Sequence, residues 1–236
     1  MKKAALVTAA GIIVIAAAIA VQAGPRLTVH SPEFNFGMTV QNATVSHSFW
    51  LHSTGDDTLR ITEVKPGCGC TKAPLDKEVL APGDSARLDI LFATGRYSGM
   101  VTKRPVVHTN AGRQPEIMAI HSHILVGPDS AYPVRLQPSR LDVSQFTEAP
   151  RRKAKFLVEN LGAHDYELEL VDWPDQFYEV KLPGKVKAGE TVEGEIIVRE
   201  DKVEESFERS FTFTINDDSG TRYTLPVKRM YRVKKG

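Results

Sequence analysis

The second half of the chain repeats the first half at a nearly constant spacing, and this repeat constrains the fold more than any other feature. Two turn positions, Gly83 and Asn110, recur 106 residues later as Gly189 and Asn216. Five further positions recur after 107 residues: Phe34, Phe36, Phe49, Leu51 and Gly55 are matched by Leu141, Val143, Phe156, Val158 and Gly162. Self-similarity that runs through strands and turns alike predicts two copies of one domain.

A short polar stretch, Gly-Pro-Asp-Ser at 127–130, separates the two copies and is typical of an interdomain linker. We therefore predict a first domain over residues 25–127 and a second over residues 131–236. Each has about 100 residues, an ordinary size for one independent hydrophobic core.

Within each copy, apolar and polar residues alternate in short stretches. Val45, Phe49 and Leu51, for example, would share one face of a strand. Turn-forming residues interrupt such stretches about every 8–12 residues, without a convincing helical period. This pattern is typical of a sandwich. We predict an all-β protein: two tandem immunoglobulin-like β-sandwich domains after an N-terminal hydrophobic helix.

The first 23 residues have the pattern of an export segment. Lys2 and Lys3 precede an uncharged run of 18 residues at 4–21, and small residues follow at the cleavage positions. That run is longer than the ~7–15 of a usual signal and just short of the ~20 of a membrane span. Two alternatives stay open: residues 1–23 are a signal peptide or an N-terminal membrane anchor. Either places the body of the protein outside the cytoplasm, in the periplasm or cell envelope, with membrane contact only through residues 1–23.

The overall charge argues against one broad class of partner. Thirty Lys and Arg residues stand against 29 Asp and Glu residues, for a formal net charge of +1. A nucleic-acid-binding protein needs a basic excess on some face, because phosphate neutralisation supplies much of its affinity. We therefore expect no nucleic-acid partner.

The two cysteines of the chain lie in the motif Cys68-Gly69-Cys70-Thr71 of the first copy. The repeat places Asp-Gln-Phe at the matching positions 175–177, so the fold itself does not need the cysteines. A disulfide across one residue would close a small strained ring that is readily reduced, and Gly69 would tolerate the distorted backbone. Two thiolates would also suit a soft ion such as Cu(I). The third alternative is a pair of inert, packed thiols.

Six short motifs follow one another over residues 32–124. They are Phe34-Asn35-Phe36-Gly37, His47-Ser48-Phe49, Ser53-Thr54-Gly55, Cys68-Gly69-Cys70-Thr71, Pro82-Gly83 and Thr109-Asn110. In order and spacing they resemble the bacterial DUF1573 family, in which Asn is commoner at the position of Ser53. The resemblance implies an immunoglobulin-like fold related to the domains of major sperm protein, and an exported location in bacteria. It supplies no mechanism.

Three histidines are candidates for a role beyond packing. His121 and His123 are two residues apart in a predicted strand, so both face one side and could begin a metal site together with Cys68 and Cys70. Solvated strand histidines are the commoner case. His47 shares a face with core residues, and we expect it to be a partly buried histidine with a satisfied ring.

Trp50 and Trp173 are the two tryptophans of the chain. Trp50 lies on the face opposite its core neighbours, and Trp173 just precedes the position that matches the cysteines. We expect both to pack at the contact between the domains; the alternative is that they anchor a binding surface.

The sequence contains no Gly-x-Ser-x-Gly motif, no phosphate-binding glycine loop and no His-Glu-x-x-His motif. We therefore expect a non-enzyme with no cofactor. The main hypothesis is a cell-envelope binding or scaffold module that contacts a protein partner, with a structural or redox-sensitive cysteine loop. The alternative is a periplasmic thiol-redox or copper-handling protein acting through Cys68 and Cys70. A carbohydrate-binding sandwich finds little support in the modest aromatic content.

Overall fold

A computed structural model describes residues 24–233, and its regular structure is strand with two short 3₁₀ turns, Pro128–Ser130 and Glu200–Lys202. The first domain contains β1 (Leu27–Thr28), β2 (Glu33–Val40), β3 (Thr44–Ser53), β4 (Leu59–Lys65), β5 (Thr71–Lys72), β6 (Val79–Leu80), β7 (Ser85–Ala93), β8 (Gly99–Lys103), β9 (Val106–Thr109), β10 (Glu116–Ile117) and β11 (Ala119–Leu125). The second contains β12 (Val134–Gln137), β13 (Leu141–Asp142), β14 (Lys153–Asn160), β15 (Tyr166–Asp172), β16 (Tyr178–Lys181), β17 (Lys185–Val186), β18 (Thr191–Val198), β19 (Phe207–Ile215) and β20 (Arg222–Arg229).

Each domain is a sandwich around its own core. In the first domain, the sheet β1-β3-β7-β5 packs on strands of the sheet β10-β9-β4-β6 and on β2, β11 and β8. In the second, the sheet β12-β14-β18-β16 packs on β17, β15, β19 and β20. The fold class predicted from the sequence, all-β with two tandem immunoglobulin-like sandwiches, is confirmed.

The sequence repeat reappears as matching strand registers. Phe49 on β3 lies opposite Leu88 on β7, and Phe156 on β14 lies opposite Gly194 on β18. These are the 107- and 106-residue offsets of the repeat. All of the aligned apolar positions lie in one core or the other: Phe34, Phe36, Phe49 and Leu51 in the first, and Leu141, Val143, Phe156 and Val158 in the second.

The N-terminal segment lies outside the described residues. The helix, signal peptide or membrane anchor predicted for residues 1–23 therefore stays a prediction. Over residues 24–233, the structure contains no helix long and apolar enough to cross a membrane.

The two domains share one sheet. Strand β2 of the first domain pairs in parallel with β20 of the second through Met38 and Tyr223, which joins strands of both domains into one eight-stranded sheet. The pairing depends on Gly37, whose φ is +65° and whose missing side chain leaves room for the Arg222 backbone. A Cβ at this glycine would lie 2.1 Å from the Arg222 carbonyl oxygen, far inside contact distance.

Buried hydrogen bonds reinforce this junction. The Ser46 amide donates to the Ser210 hydroxyl oxygen at 2.8 Å, and the Ser210 amide donates to the Ser46 hydroxyl oxygen at 3.0 Å. The Thr224 hydroxyl donates to the Phe36 carbonyl at 2.6 Å. Because buried polar groups that lose a partner are costly, these bonds hold the two sandwiches in one orientation.

Gly37→Ala should destabilise the protein more than Gly99→Ala, and the comparison isolates the domain junction. Both glycines have left-handed φ, +65° and +70°, but nothing lies within 4 Å of a Cβ built on Gly99. Each substitution should cost ~1–2 kcal/mol for the backbone conformation, and Gly37→Ala a further ~1–3 kcal/mol for the clash. Chemical denaturation of both variants measures the difference; equal losses would show that β2 and β20 do not depend on this close approach.

One repeat-related pair of side chains differs in its hydrogen bonding. The Asn160 side chain donates to the His164 carbonyl at 2.7 Å and accepts from the Gly162 amide at 2.9 Å. The matching residue, Ser53, has equivalent backbone bonds to the Asp84 turn, but its buried hydroxyl has no partner. The fold therefore uses this side chain in the second domain only.

Asn160→Ala should lower the free energy of unfolding by ~2–3 kcal/mol, because it removes several buried hydrogen bonds. Ser53→Ala should leave it unchanged to within ~0.5 kcal/mol, because the lost hydroxyl is unpaired. Urea titration of the two variants provides the test. A large loss for Ser53→Ala would mean that its hydroxyl has a partner, such as a bound water.

Candidate functional site

The cysteine motif forms a disulfide in the turn between β4 and β5. Cys68 and Cys70 are bonded to each other, with their Cα atoms 5.3 Å apart. The Thr71 amide donates to the Cys68 carbonyl at 3.2 Å, which closes the turn, and the Ala93 amide donates to the Cys70 carbonyl at 2.8 Å. Since Ala93 ends β7, the loop is fastened to the edge of the sheet β1-β3-β7-β5.

The two sulfurs have different surroundings. Both cysteines are half-buried, but Cys70 packs against the core of the first domain. The Tyr97 hydroxyl donates to the Cys70 sulfur at 3.6 Å, whereas the Cys68 sulfur lies 3.3 Å from the Thr71 hydroxyl. Cys70 is thus the inner sulfur, with a phenol hydroxyl directed at it.

A lysine holds the phenol ring of Tyr97 in place. The Lys103 ammonium nitrogen lies 4.1 Å from the centroid of the Tyr97 ring and 5.7 Å from that of Phe92. A cation over an aromatic face is attracted by the electron density of the ring. This contact fixes the tyrosine whose hydroxyl reaches the Cys70 sulfur.

Gly69 has a different role from the one expected. Its φ is not in the left-handed region, so the disulfide does not require a glycine for backbone conformation. Gly69 is exposed, and no atom lies within 4 Å of the position of a Cβ. The glycine instead leaves the outer side of the disulfide open to an approaching molecule.

A groove of about 750 Å³ runs between the domains beside the disulfide loop. The first domain contributes one wall with Gly69, Cys70 and Lys72, and the second contributes residues 205–209 and 228–230. A second cavity of about 500 Å³ shares Thr44, Ala93, Glu208 and Lys228 with it, and we call the two together the interdomain groove. Further apolar side chains in it are Leu91, Leu141, Phe177, Phe207 and Val227.

The structure does not bring the predicted metal-ligand candidates together. His121 and His123 alternate with buried Ile120, Ser122 and Ile124, and His121 lies 3.0 Å from the Thr102 hydroxyl. Cys68 and Cys70 are in a disulfide and present no thiolate. Within residues 24–233, no group of three or more His, Cys, Asp or Glu side chains is arranged to hold a metal ion.

His47 lies against the second domain and not against the cysteines. Its Nδ1 is 3.1 Å from an Asp172 carboxylate oxygen, and its ring stacks on Phe34 at a centroid distance of 3.8 Å. The side chain is 15% exposed, as expected for a partly buried histidine with a partner. That the partner belongs to the other domain was not visible from the spacing.

Sequence reasoning missed a charged cluster beside this histidine. Asp89 accepts from Ser48 at 2.8 Å and pairs with Arg87 at 3.1 Å and with Arg209 of the second domain at 3.4 Å. Burial lowers the pKa of Arg209, and the Asp89 carboxylate opposes that shift. With Trp50 and Trp173, these residues line a pocket of about 160 Å³, which we call the interdomain pocket. The signal in the sequence was the position of Trp173, next to the loop that matches the cysteine motif.

The strand order and the two cores define the class of this protein as a pair of immunoglobulin-like β-sandwiches. Residues 27–124 match the model of the DUF1573 family, described as protein of unknown function. The first domain belongs to that family. No curated protein matches the sequence significantly.

Among solved structures, a protein of unknown function from Porphyromonas gingivalis W83 is 13% identical, with a TM-score of 0.34, and the match covers 86% of this chain and 99% of that one. The ASH / PapD-like domain of human CEP192 is 8% identical at a TM-score of 0.37, covering 50% and 99%. The E. coli chaperone DraB is 9% identical at a TM-score of 0.32, covering 86% and 97%. These scores are too low to carry an argument about function.

Tyr97→Phe should slow reduction of the disulfide by glutathione by about three- to tenfold, the effect of a lost hydrogen bond of ~1 kcal/mol. When a thiolate attacks the outer Cys68 sulfur, Cys70 leaves as a thiolate and gains from the Tyr97 hydroxyl. Stopped alkylation followed by intact mass gives the rate. Tyr132→Phe, at an exposed tyrosine, is the matched control; equal rates for both variants would show that Tyr97 does not assist Cys70.

Proposed function

We propose that this protein is a non-enzymatic binding module of the bacterial cell envelope that holds an extended segment of a protein partner in the interdomain groove. The observation that carries the proposal is the groove itself. Both domains line it, and the shared sheet through Gly37 fixes the distance between its walls. A binding site built from two rigidly joined domains needs little reorganisation when it binds, which reduces the entropic cost.

The composition of the groove suits a peptide segment. Its apolar side chains, such as Leu91 and Phe207, can cover apolar residues of a partner, while Lys72 and Glu208 add charge on opposite walls. Strand β5 lies at the end of its sheet, beside the groove. An edge strand offers backbone hydrogen bonds to an added strand, with side-chain pockets supplying specificity.

The charged groups of the groove favour binding over proton transfer. Glu208 lies 3.5 Å from the Lys228 ammonium and accepts from the Thr44 hydroxyl at 2.8 Å. A general acid or base needs a titratable group directed at a reacting atom. Here the carboxylate instead ties the second domain to the first.

The proposed location follows from the N-terminal sequence. Export through the segment at 1–23 would deliver both domains to an oxidising compartment, where a disulfide persists. The Cys68–Cys70 bond is consistent with that environment.

Thiol–disulfide exchange is a second candidate function, favoured by the open outer side of the disulfide at Gly69. A partner thiolate would attack the Cys68 sulfur, forming a mixed disulfide and releasing Cys70 as a thiolate. A second thiolate of the partner would then displace Cys68. The loop is reduced by two electrons, and the partner dithiol becomes a disulfide.

Site-specific photo-crosslinking in the export compartment tests the proposal. A photoreactive residue placed at Lys72 or at Lys228, on opposite walls, should give adducts with the same protein. The same residue at Leu161, exposed at the end of β14 and outside the groove, should not. Adducts at all three positions, or at Leu161 alone, would contradict groove binding.

The crosslink repeated with Cys68→Ser and Cys70→Ser together separates the two candidates. A binding module keeps the adduct at Lys72, because the groove walls remain. An exchange protein loses its mixed disulfide with the partner, which non-reducing electrophoresis of a Cys70→Ser single variant would detect.

A further inference from the structure

The fold brings the two tryptophans of the chain to one pocket. Trp50 and Trp173 are 123 residues apart in the sequence and come from different domains, yet both line the interdomain pocket. Both remain substantially exposed, Trp50 at 51% and Trp173 at 40%. Large aromatic side chains are normally buried for their apolar area, so two exposed indoles at one cavity point to a ligand.

The polar lining of the pocket is already neutralised. Asp89 is held by Arg87 and Arg209, and Asp172 by His47. These pairs leave no strong net attraction for a free anion or cation. They do leave hydrogen-bonding capacity, because a guanidinium has five donors and a carboxylate has about four acceptor sites. Donors and acceptors therefore stand side by side on the pocket wall.

We propose that the interdomain pocket binds one unit of a neutral carbohydrate, with its hydroxyl groups against the Asp89 and Arg87 wall and its ring against the indoles. Sugar hydroxyls both donate and accept, which matches such a mixed wall. The C–H faces of a sugar ring are apolar and weakly positive, and the face of an indole is apolar and negative. Neither group alone makes this site; the combination across the domain junction does.

The size of the pocket limits the occupant. A volume of about 160 Å³ holds about five water molecules at ~30 Å³ each. That is below the ~300–1,000 Å³ of pockets that enclose drug-sized ligands. One sugar ring can enter, and the rest of a chain would lie outside along the exposed indoles. The sequence alone gave little support to carbohydrate binding, because aromatic content does not reveal which aromatics meet.

The chain provides its own probe for this site. Because it contains two tryptophans, both at the pocket, every indole N–H signal of the folded protein reports on it. We would titrate the ¹⁵N-labelled protein with D-glucose, D-galactose, D-mannose, N-acetyl-D-glucosamine, cellotriose and chitotriose. At least one sugar should shift both indole signals with a saturable dependence, at a dissociation constant on the order of 1 mM or tighter.

Trp50→Ala and Trp173→Ala should each weaken that binding by at least about tenfold, observed on the remaining indole. Both side chains are exposed, so the variants should stay folded, and the dispersion of the remaining signals checks this. Tyr132→Ala removes an exposed aromatic outside the pocket and should leave the affinity unchanged.

Three results would overturn the proposal. One is that no sugar shifts either indole signal. Another is that only one indole responds, which would mean stacking outside the pocket. The last is that tetramethylammonium chloride or sodium acetate shifts both signals and the sugars do not, because the pocket would then select an ion. None of these outcomes bears on partner binding in the interdomain groove, which is tested separately.

Discussion

The close approach of β2 and β20 at Gly37 is the constraint on which the rest of the structure depends. Two sandwiches joined only by a short linker would tumble semi-independently, and any site between them would be transient. Here Gly37 admits the Arg222 backbone, Met38 pairs with Tyr223, and the domains become parts of one sheet. The interdomain groove and the interdomain pocket both lie at this junction, so both owe their geometry to one backbone contact.

The charged pairs at the junction contribute more to orientation than to stability. Removing charges from water costs several kcal/mol per ion, and a buried pair often does no better than break even. The Asp89–Arg209 and His47–Asp172 contacts nevertheless require the domains to meet in one register, because any slip leaves a buried charge without its partner. The reciprocal Ser46–Ser210 bonds act in the same sense.

Much of the fold could be read from the sequence, because strand alternation and a repeat are local or one-dimensional patterns. Phe49 and Phe156 were paired by their spacing, and both are buried at matching registers. The sites were less accessible to sequence reasoning. The cysteine loop was identified as a possible disulfide, but its position on a groove wall depends on how the second domain docks. Likewise the His47–Asp172 contact spans 125 residues, and no periodicity predicts which face of one domain meets the other.

The two copies use the same loop for different purposes, and the junction explains why. In the second copy, the loop carries Phe177 where the first has Cys70, and its ring packs on Phe207 and beneath the Arg209 guanidinium at 4.6 Å. That loop fastens the domains together, so it has lost its freedom to change. The first loop meets no such demand on its outer side, where Gly69 is open. Duplication of a sandwich thus gave one loop to the interface and left the other, with its disulfide, facing the groove that the interface creates.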